Sequence, residues 1–353
     1  MAKYSHESTF EAACEDGRLP GVTLVAADVT GKFKYKKAFS KYAYGEAIAT
    51  DSVIWIASCT KLMSTVAVMQ RVEQGKISLD EDVGRILPEL NDLKVLAGFD
   101  GERKLEYEGR LLLTHSSGLT APMFDPKLQQ LAQFRGPPEK PLDPVVTEFS
   151  EPLAGKLVER ISDVSLEEYM RVHIWGPLDM QHVSFYPDSI SEVKARKIGM
   201  SGKDENGKLV PIDTIRTFGE KKDIYGGGAG FGSAKSYVKL LQTLCANDGN
   251  ALKKTVDEMF RPQPSPEANT AFKTMILDWG LGGEIGTRDE VSRRKAGTLS
   301  WGGLPNLIWW IDREAGFCGT LFISVMLMGD ELVNKLIADF ELAIYERYEE
   351  LKK

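Results

Sequence analysis

The sequence predicts an α+β fold: one antiparallel sheet built from both chain ends, flanked by helices, with a mainly helical region inserted between. Three observations carry this. Near the N-terminus, Gly21–Ala27 and Phe33–Phe39 are apolar-rich runs joined through Asp28-Val-Thr-Gly31, which reads as a β-hairpin. Near the C-terminus, 299–311 and 319–328 read as two strands joined through Asp312-Arg-Glu-Ala-Gly316. Between them, roughly from 80 to 200, helical spacing and loops dominate. Hairpins at both ends favour antiparallel pairing within one sheet. The division expected is 1–80 plus 200–353 for the sheet-bearing region and 81–199 for the insertion.

The elements follow in order. Residues 8–16 suit a short first helix ahead of the hairpin. The apolar run Asp51-Ser-Val-Ile-Trp-Ile-Ala57 reads as a strand that leads into a helix over 59–74. In that helix Leu62, Val66, Met69 and Val72 recur at helical spacing, and Gly75 stands where a helix commonly ends. Leu111–Leu119 closes a short helix. Seven prolines between 120 and 153 then predict a long surface excursion. Two helices follow, over 153–160 and 165–174, the second opened by Ser165 with Glu168 three residues on, a capping-box pattern. The glycine cluster Gly226–Gly232 leads into a helix over 236–247, and a last helix over 330–350 closes the chain.

Composition narrows the function classes. The 353 residues are 42% hydrophobic and 27% charged, which suits a globular protein rather than a disordered one. A net charge of −7 lacks the basic footprint of a nucleic-acid binder. No secretory signal is visible at the polar N-terminus, and no run nears the roughly 18 apolar residues of a membrane helix. Cys14, Cys59, Cys245 and Cys318 are widely spaced, as reduced thiols of a cytoplasmic protein would be. The four histidines are scattered without metal-ligand spacing, so no metal site is expected.

Ser58-Cys-Thr-Lys61 is the most informative local pattern. Serine and lysine three residues apart on a helix share a face. Serine becomes a nucleophile when a neighbouring base takes its proton, and a desolvated lysine can be that base. A helix N-terminus adds amide donors for a developing oxyanion. The spacing alone is weak: Ser191/Lys194 and Ser236/Lys239 match it too, and composition gives roughly two such hits in a chain of this length. Those two read as solvated helix faces. The apolar run that delivers Ser58 to a helix start sets it apart. Thr298-Leu-Ser-Trp-Gly-Gly-Leu304 is a second candidate. Paired glycines in a strand mark either close approach of another group or a bulge, and backbone amides there could complete an oxyanion hole. Gly226–Gly232 lacks the preceding strand of a phosphate-binding loop and reads as a flexible loop near a cleft. His115 reads as a structural histidine rather than a general base.

Taken together, Ser58-Cys-Thr-Lys61, Leu112-Leu-Thr-His-Ser-Ser-Gly-Leu119, Leu157-Val-Glu-Arg160, Tyr169-Met-Arg171, Ile174-Trp-Gly-Pro-Leu-Asp-Met180 and Trp301-Gly-Gly303 occur in an order that resembles the serine β-lactamase-related esterases and transferases. The similarity is to their fungal polyketide acyltransferase (transesterase) branch and runs from about residue 8 to the C-terminus. The resemblance implies a β-lactamase/transpeptidase-like fold. It implies that Ser58 attacks an acyl donor, that Lys61 takes its proton, and that backbone amides at Ser58 and around Trp301, Gly302, Gly303 and Leu304 bind the oxyanion. It also implies an acyl thioester donor, carried in some members on the acyl carrier protein of a polyketide synthase, a hydroxyl acceptor on a secondary metabolite, and no cofactor. Hydrolysis by water, as in esterases and β-lactamases, is the alternative.

One departure stands out. The family places a catalytic tyrosine ahead of the Leu-Val-Glu-Arg helix, yet no tyrosine lies between Tyr107 and Tyr169. Phe149-Ser-Glu-Pro-Leu-Ala-Gly-Lys156 runs straight into that helix. A missing exon, a real deletion with Lys61 as sole base, and a member that only binds are the readings this leaves open. Tyr169, in the helix that follows, is a poor substitute; Tyr186 and Tyr225 are the ones that a fold could bring near.

Overall fold

The computed structural model describes residues 5–40, 47–91, 94–98, 101–104, 150–212, 226–263, 277–326 and 329–353. The helix predicted at 111–119, His115, most of the proline-rich excursion and Tyr225 lie outside these residues.

Seven strands form the main sheet: β1 (Gly21–Asp28), β2 (Lys34–Ser40), β3 (Leu277–Trp279), β4 (Glu284–Gly286), β5 (Leu299–Gly303), β6 (Leu307–Asp312) and β7 (Phe317–Ile323). Their order is β3-β4-β5-β6-β7-β1-β2, every neighbour antiparallel. The seam between the chain ends is β1 against β7, from Val22 opposite Ile323 to Asp28 opposite Phe317. The sheet built from both ends is therefore as the sequence implied.

Every residue of β1 is buried, so both faces of the sheet are covered. Val25 and Ala27 point into one core, and Val22, Leu24 and Ala26 into the other, as a period of two requires. On the second face lie α1 (Ser5–Glu15) and the C-terminal α6 (Glu331–Leu351), whose Phe10, Phe340 and Ile344 pack against Trp310, Phe317 and Leu321. Asp330 caps α6 by accepting the Val333 N–H at 3.1 Å. The first face carries α2 (Thr60–Glu73), α3 (Ser150–Ser162), α4 (Leu166–Met170) and α5 (Ala234–Ala246). Ser165 caps α4 as predicted, accepting the Glu168 N–H.

Two expectations need correction. The single strand read over 299–311 is a hairpin, β5 and β6. Pro305 cannot donate to a ladder, and Asn306 takes a left-handed φ of 58°, so the chain reverses there. The helix read over 59–74 from a single apolar stripe has no solvent face in its first part: all ten residues from Thr60 to Met69 are buried. Its polar Thr60, Lys61, Ser64 and Thr65 face protein rather than water, which means that each needs a partner there. Among the described residues no helix is long and apolar enough to cross a membrane.

Candidate active site

Of the run 51–57, only Ile54–Trp55 is strand, paired antiparallel with Phe231–Gly232, which also pairs with Val183–Ser184. This three-stranded ribbon delivers the chain to a tight 3₁₀ turn, Ala57–Cys59, which runs directly into α2. Ala57 sits at φ 43°, a left-handed conformation that costs a non-glycine residue of order 1 kcal/mol or more. Ser58 follows it, half-buried, at the start of the helix. Lys61 lies one turn on and is 5% exposed.

The donors around this turn find carbonyls in one place. The Ile56 N–H donates to the Gly230 carbonyl at 2.9 Å. Trp55 Nε1 donates to Gly228 O at 2.6 Å, Lys61 Nζ to Gly227 O at 2.8 Å, and Ser64 Oγ to Gly226 O at 2.5 Å. Residues 226–230 thus form a strap of carbonyls along the serine turn and the first turns of α2. The flexible loop expected there is instead a buried, hydrogen-bonded segment. A phosphate cradle would aim amides at its ligand; this segment aims carbonyls at the helix. On another side, Tyr237 of α5 donates to the Cys59 carbonyl at 2.8 Å.

The end of β5 closes against the turn. A Cβ on Gly303 would stand 2.7 Å from the Ile56 carbonyl and 3.3 Å from Cys59 Sγ, so only glycine lets the strand approach this near. Leu304 packs with the cluster that holds Ala57 and Trp55. Trp301 and Gly302 are half-buried, and the Trp301 ring lies 4.9 Å from that of Trp279 on β3, tilted by 57°. Gly303 and Leu304, far from Ser58 in sequence, are therefore neighbours of its turn, with Lys61 one helical turn on. This juxtaposition can hold a nucleophilic hydroxyl beside an amine with strand backbone on its flank, the parts that acyl transfer uses.

The other serine–lysine pairs separate clearly. Ser191 and Lys194 are both exposed, as expected. Ser236 is not on a solvated face: it is 3% exposed, and its Oγ accepts the His182 N–H at 3.3 Å, while Lys239 pairs with Asp179. Tyr169 is no neighbour of Ser58. Its hydroxyl donates to Gln70, nine residues past Lys61 and ~14 Å along the helix axis. Tyr186 is 43% exposed and follows the Val183–Ser184 strand, the edge of the ribbon opposite Ile54–Trp55. Tyr237 is beside the turn but wholly buried, its hydroxyl committed to Cys59, and burial raises its pKa well above the ordinary value. Burial likewise raises the thiol of Cys59, so the residue next to Ser58 is no rival nucleophile. Sequence reasoning missed the carbonyl strap and Tyr237. The run of glycines was the visible signal for the first; nothing local marks the second.

The sequence profile of the beta-lactamase family matches residues 6–342. An ML-236A carboxylate methylbutanoyltransferase of Penicillium citrinum is 30% identical, the match covering 97% of this chain and 94% of that protein. That alignment spans 391 positions, more than the 353 residues here, so the relative has residues where this chain has none. A lovastatin esterase of Penicillium rubens is 32% identical over 97% of this chain and 98% of its own. The solved structure of a simvastatin synthase mutant from Aspergillus terreus superposes with a TM-score of 0.88 at 30% identity, covering 98% of this chain and 95% of that one. The β-lactamase/transpeptidase-like fold that the motifs implied is thereby shown.

Proposed function

The chain belongs to the beta-lactamase family, and from that premise we propose that it is a serine acyltransferase, moving an acyl group from a thioester to a hydroxyl of a secondary metabolite. The single observation that carries this is the approach of Gly303, at the end of β5, to the turn that holds Ser58, with near-buried Lys61 one helical turn on.

Ser58 Oγ attacks the thioester carbonyl while its proton passes to Lys61. The negative charge on the carbonyl oxygen is met by backbone amides of the Ser58 turn and of the β5 end at Leu304. The C–S bond breaks as Lys61 passes its proton to the leaving sulfur; the thiol departs, Lys61 is neutral again, and an acyl ester remains on Ser58. The acceptor hydroxyl then attacks that ester, giving up its proton to Lys61, which returns it to Ser58 Oγ. The Gly227 carbonyl fixes Lys61 Nζ, so the amine is oriented before substrate arrives. No cofactor enters these steps. In this reading Lys61 carries both proton transfers without the family's tyrosine, and the donor thioester is one that a polyketide synthase carrier protein would present. Four unbridged, buried cysteines support a reducing, cytoplasmic setting.

Intact-mass spectrometry after incubation with a short-chain acyl thioester tests the reading. Wild type and Ser191→Ala should gain one acyl mass; Ser58→Ala should gain none. Lys61→Ala should acylate about 10²- to 10⁴-fold more slowly, the worth of a general base. An undiminished rate in Lys61→Ala would remove it from the mechanism. With an acceptor alcohol at saturation, ester product supports transfer, while free acid alone shows a hydrolase.

A further inference from the structure

Thr60, between the nucleophile and its lysine, has no part in the chemistry just described, yet it is 0% exposed and its hydroxyl is doubly engaged. Thr60 Oγ1 donates to the Ala57 carbonyl at 2.6 Å and accepts the Gly230 N–H at 3.1 Å. The first bond reaches back to the one residue of the turn in left-handed conformation. The second ties the helix to the carbonyl strap that also holds Lys61. The fit leaves no slack: a Cβ on Gly230 would stand 2.6 Å from Thr60 Oγ1 and 3.3 Å from its Cγ2.

We propose that Thr60 is a positioning residue: its hydroxyl clamps the Ala57 carbonyl to the Gly230 amide, holds Ala57 in its left-handed state, and so aims Ser58. A left-handed alanine persists only where its surroundings over-determine it. Here the Ala57 carbonyl also receives the Thr60 N–H, and the hydroxyl adds the contact that a helix alone would not supply. If the clamp is released, Ala57 relaxes toward the ordinary region, and the Ser58 amide and hydroxyl rotate with it. Lys61 keeps its own bond to Gly227. The clamp is thus separable from the base.

The inference rests on Ser58 being the nucleophile, and its test has one arm that does not. Thr60→Val keeps the shape and removes the hydroxyl; Thr60→Ser keeps the hydroxyl. With an acyl thioester, Thr60→Val should acylate about 10- to 100-fold more slowly, the scale of a misplacement near 1 Å. Its KM and the shape of its pH profile should stay those of wild type, and Thr60→Ser should recover to within about threefold. A folded Thr60→Val that acylates at the wild-type rate, or a Thr60→Ser as slow as Thr60→Val, overturns the proposal. The crystal structure of Thr60→Val is the independent arm: Ala57 should leave its left-handed conformation, and if it stays there the proposal falls. A wild-type chain that gains no adduct overturns the reading of Ser58 instead, and the crystallographic arm still decides on Thr60.

Discussion

Serine and lysine three residues apart are common in any chain of this size, and what singles out Ser58 is the backbone around it. Ala57 at φ 43° turns a strand into a helix within three residues and leaves the serine half-open at the bend. Alanine carries no local preference for that conformation, so the sequence is silent about it. Gly303 is the complementary case. Its neighbour Gly302 lies with it in a motif that attracts notice, but only the structure shows that its missing side chain is what admits the Ile56 carbonyl. Gly303→Ala should therefore cost about 1–3 kcal/mol, because the atom in the way is backbone and cannot rotate aside. It should also slow acylation of Ser58 more than it raises KM. Urea denaturation and the acylation rate, measured together, check this. An alanine variant as stable and as fast as wild type would mean that β5 does not press on the turn.

Elements were legible where their signals are local. The cap at Ser165 and the hairpins at both ends rest on side-chain chemistry within a few residues. The two-residue strands and the β5–β6 break were not, since pairing partners far along the chain decide them. The end of α2 shows how such partners act. Glu73 accepts the N–H groups of Lys253, Lys254 and Thr255 at 2.9, 2.6 and 2.8 Å and the Thr255 hydroxyl at 3.0 Å, tying that segment to the central helix. Burial pushes its pKa upward, but those donors outweigh it and hold the carboxyl below its ordinary value. A folded pKa below the unfolded one means stabilisation that is complete above the ordinary glutamate value, about 4.3, and is lost as pH falls through the lower folded value. Glu73→Gln should lose about 1 kcal/mol at pH 7 and show a shallower fall in stability toward pH 3. Urea midpoints across that range read both effects, and parallel curves for the two proteins would refute the linkage.

At the scale of the whole molecule, the two cores seal all four thiols. Burial pushes Cys14 and Cys245 up to about 12 and raises Cys59 and Cys318 further. A thiol reagent at pH 8 should label none of them in the native protein within minutes and all four in urea, since reaction must await opening of the fold. Prompt labelling of the folded chain would contradict the packing. By itself the sequence determined that the chain folds as an α+β protein with its sheet made from both ends, and that Ser58, Lys61 and the Trp301–Leu304 stretch are the residues to watch. It could do so because hydrophobic period, turn residues and a serine–lysine spacing act over a handful of positions. Only the tertiary structure decided that β1 joins β7, that α2 is buried on every side from Thr60 to Met69, and that a glycine strap binds the serine turn from 170 positions away in sequence. Such contacts leave no periodic trace in sequence. They arise because buried polar groups must find partners, and in this fold the donors of the Ser58 turn find them in the carbonyls of 226–230.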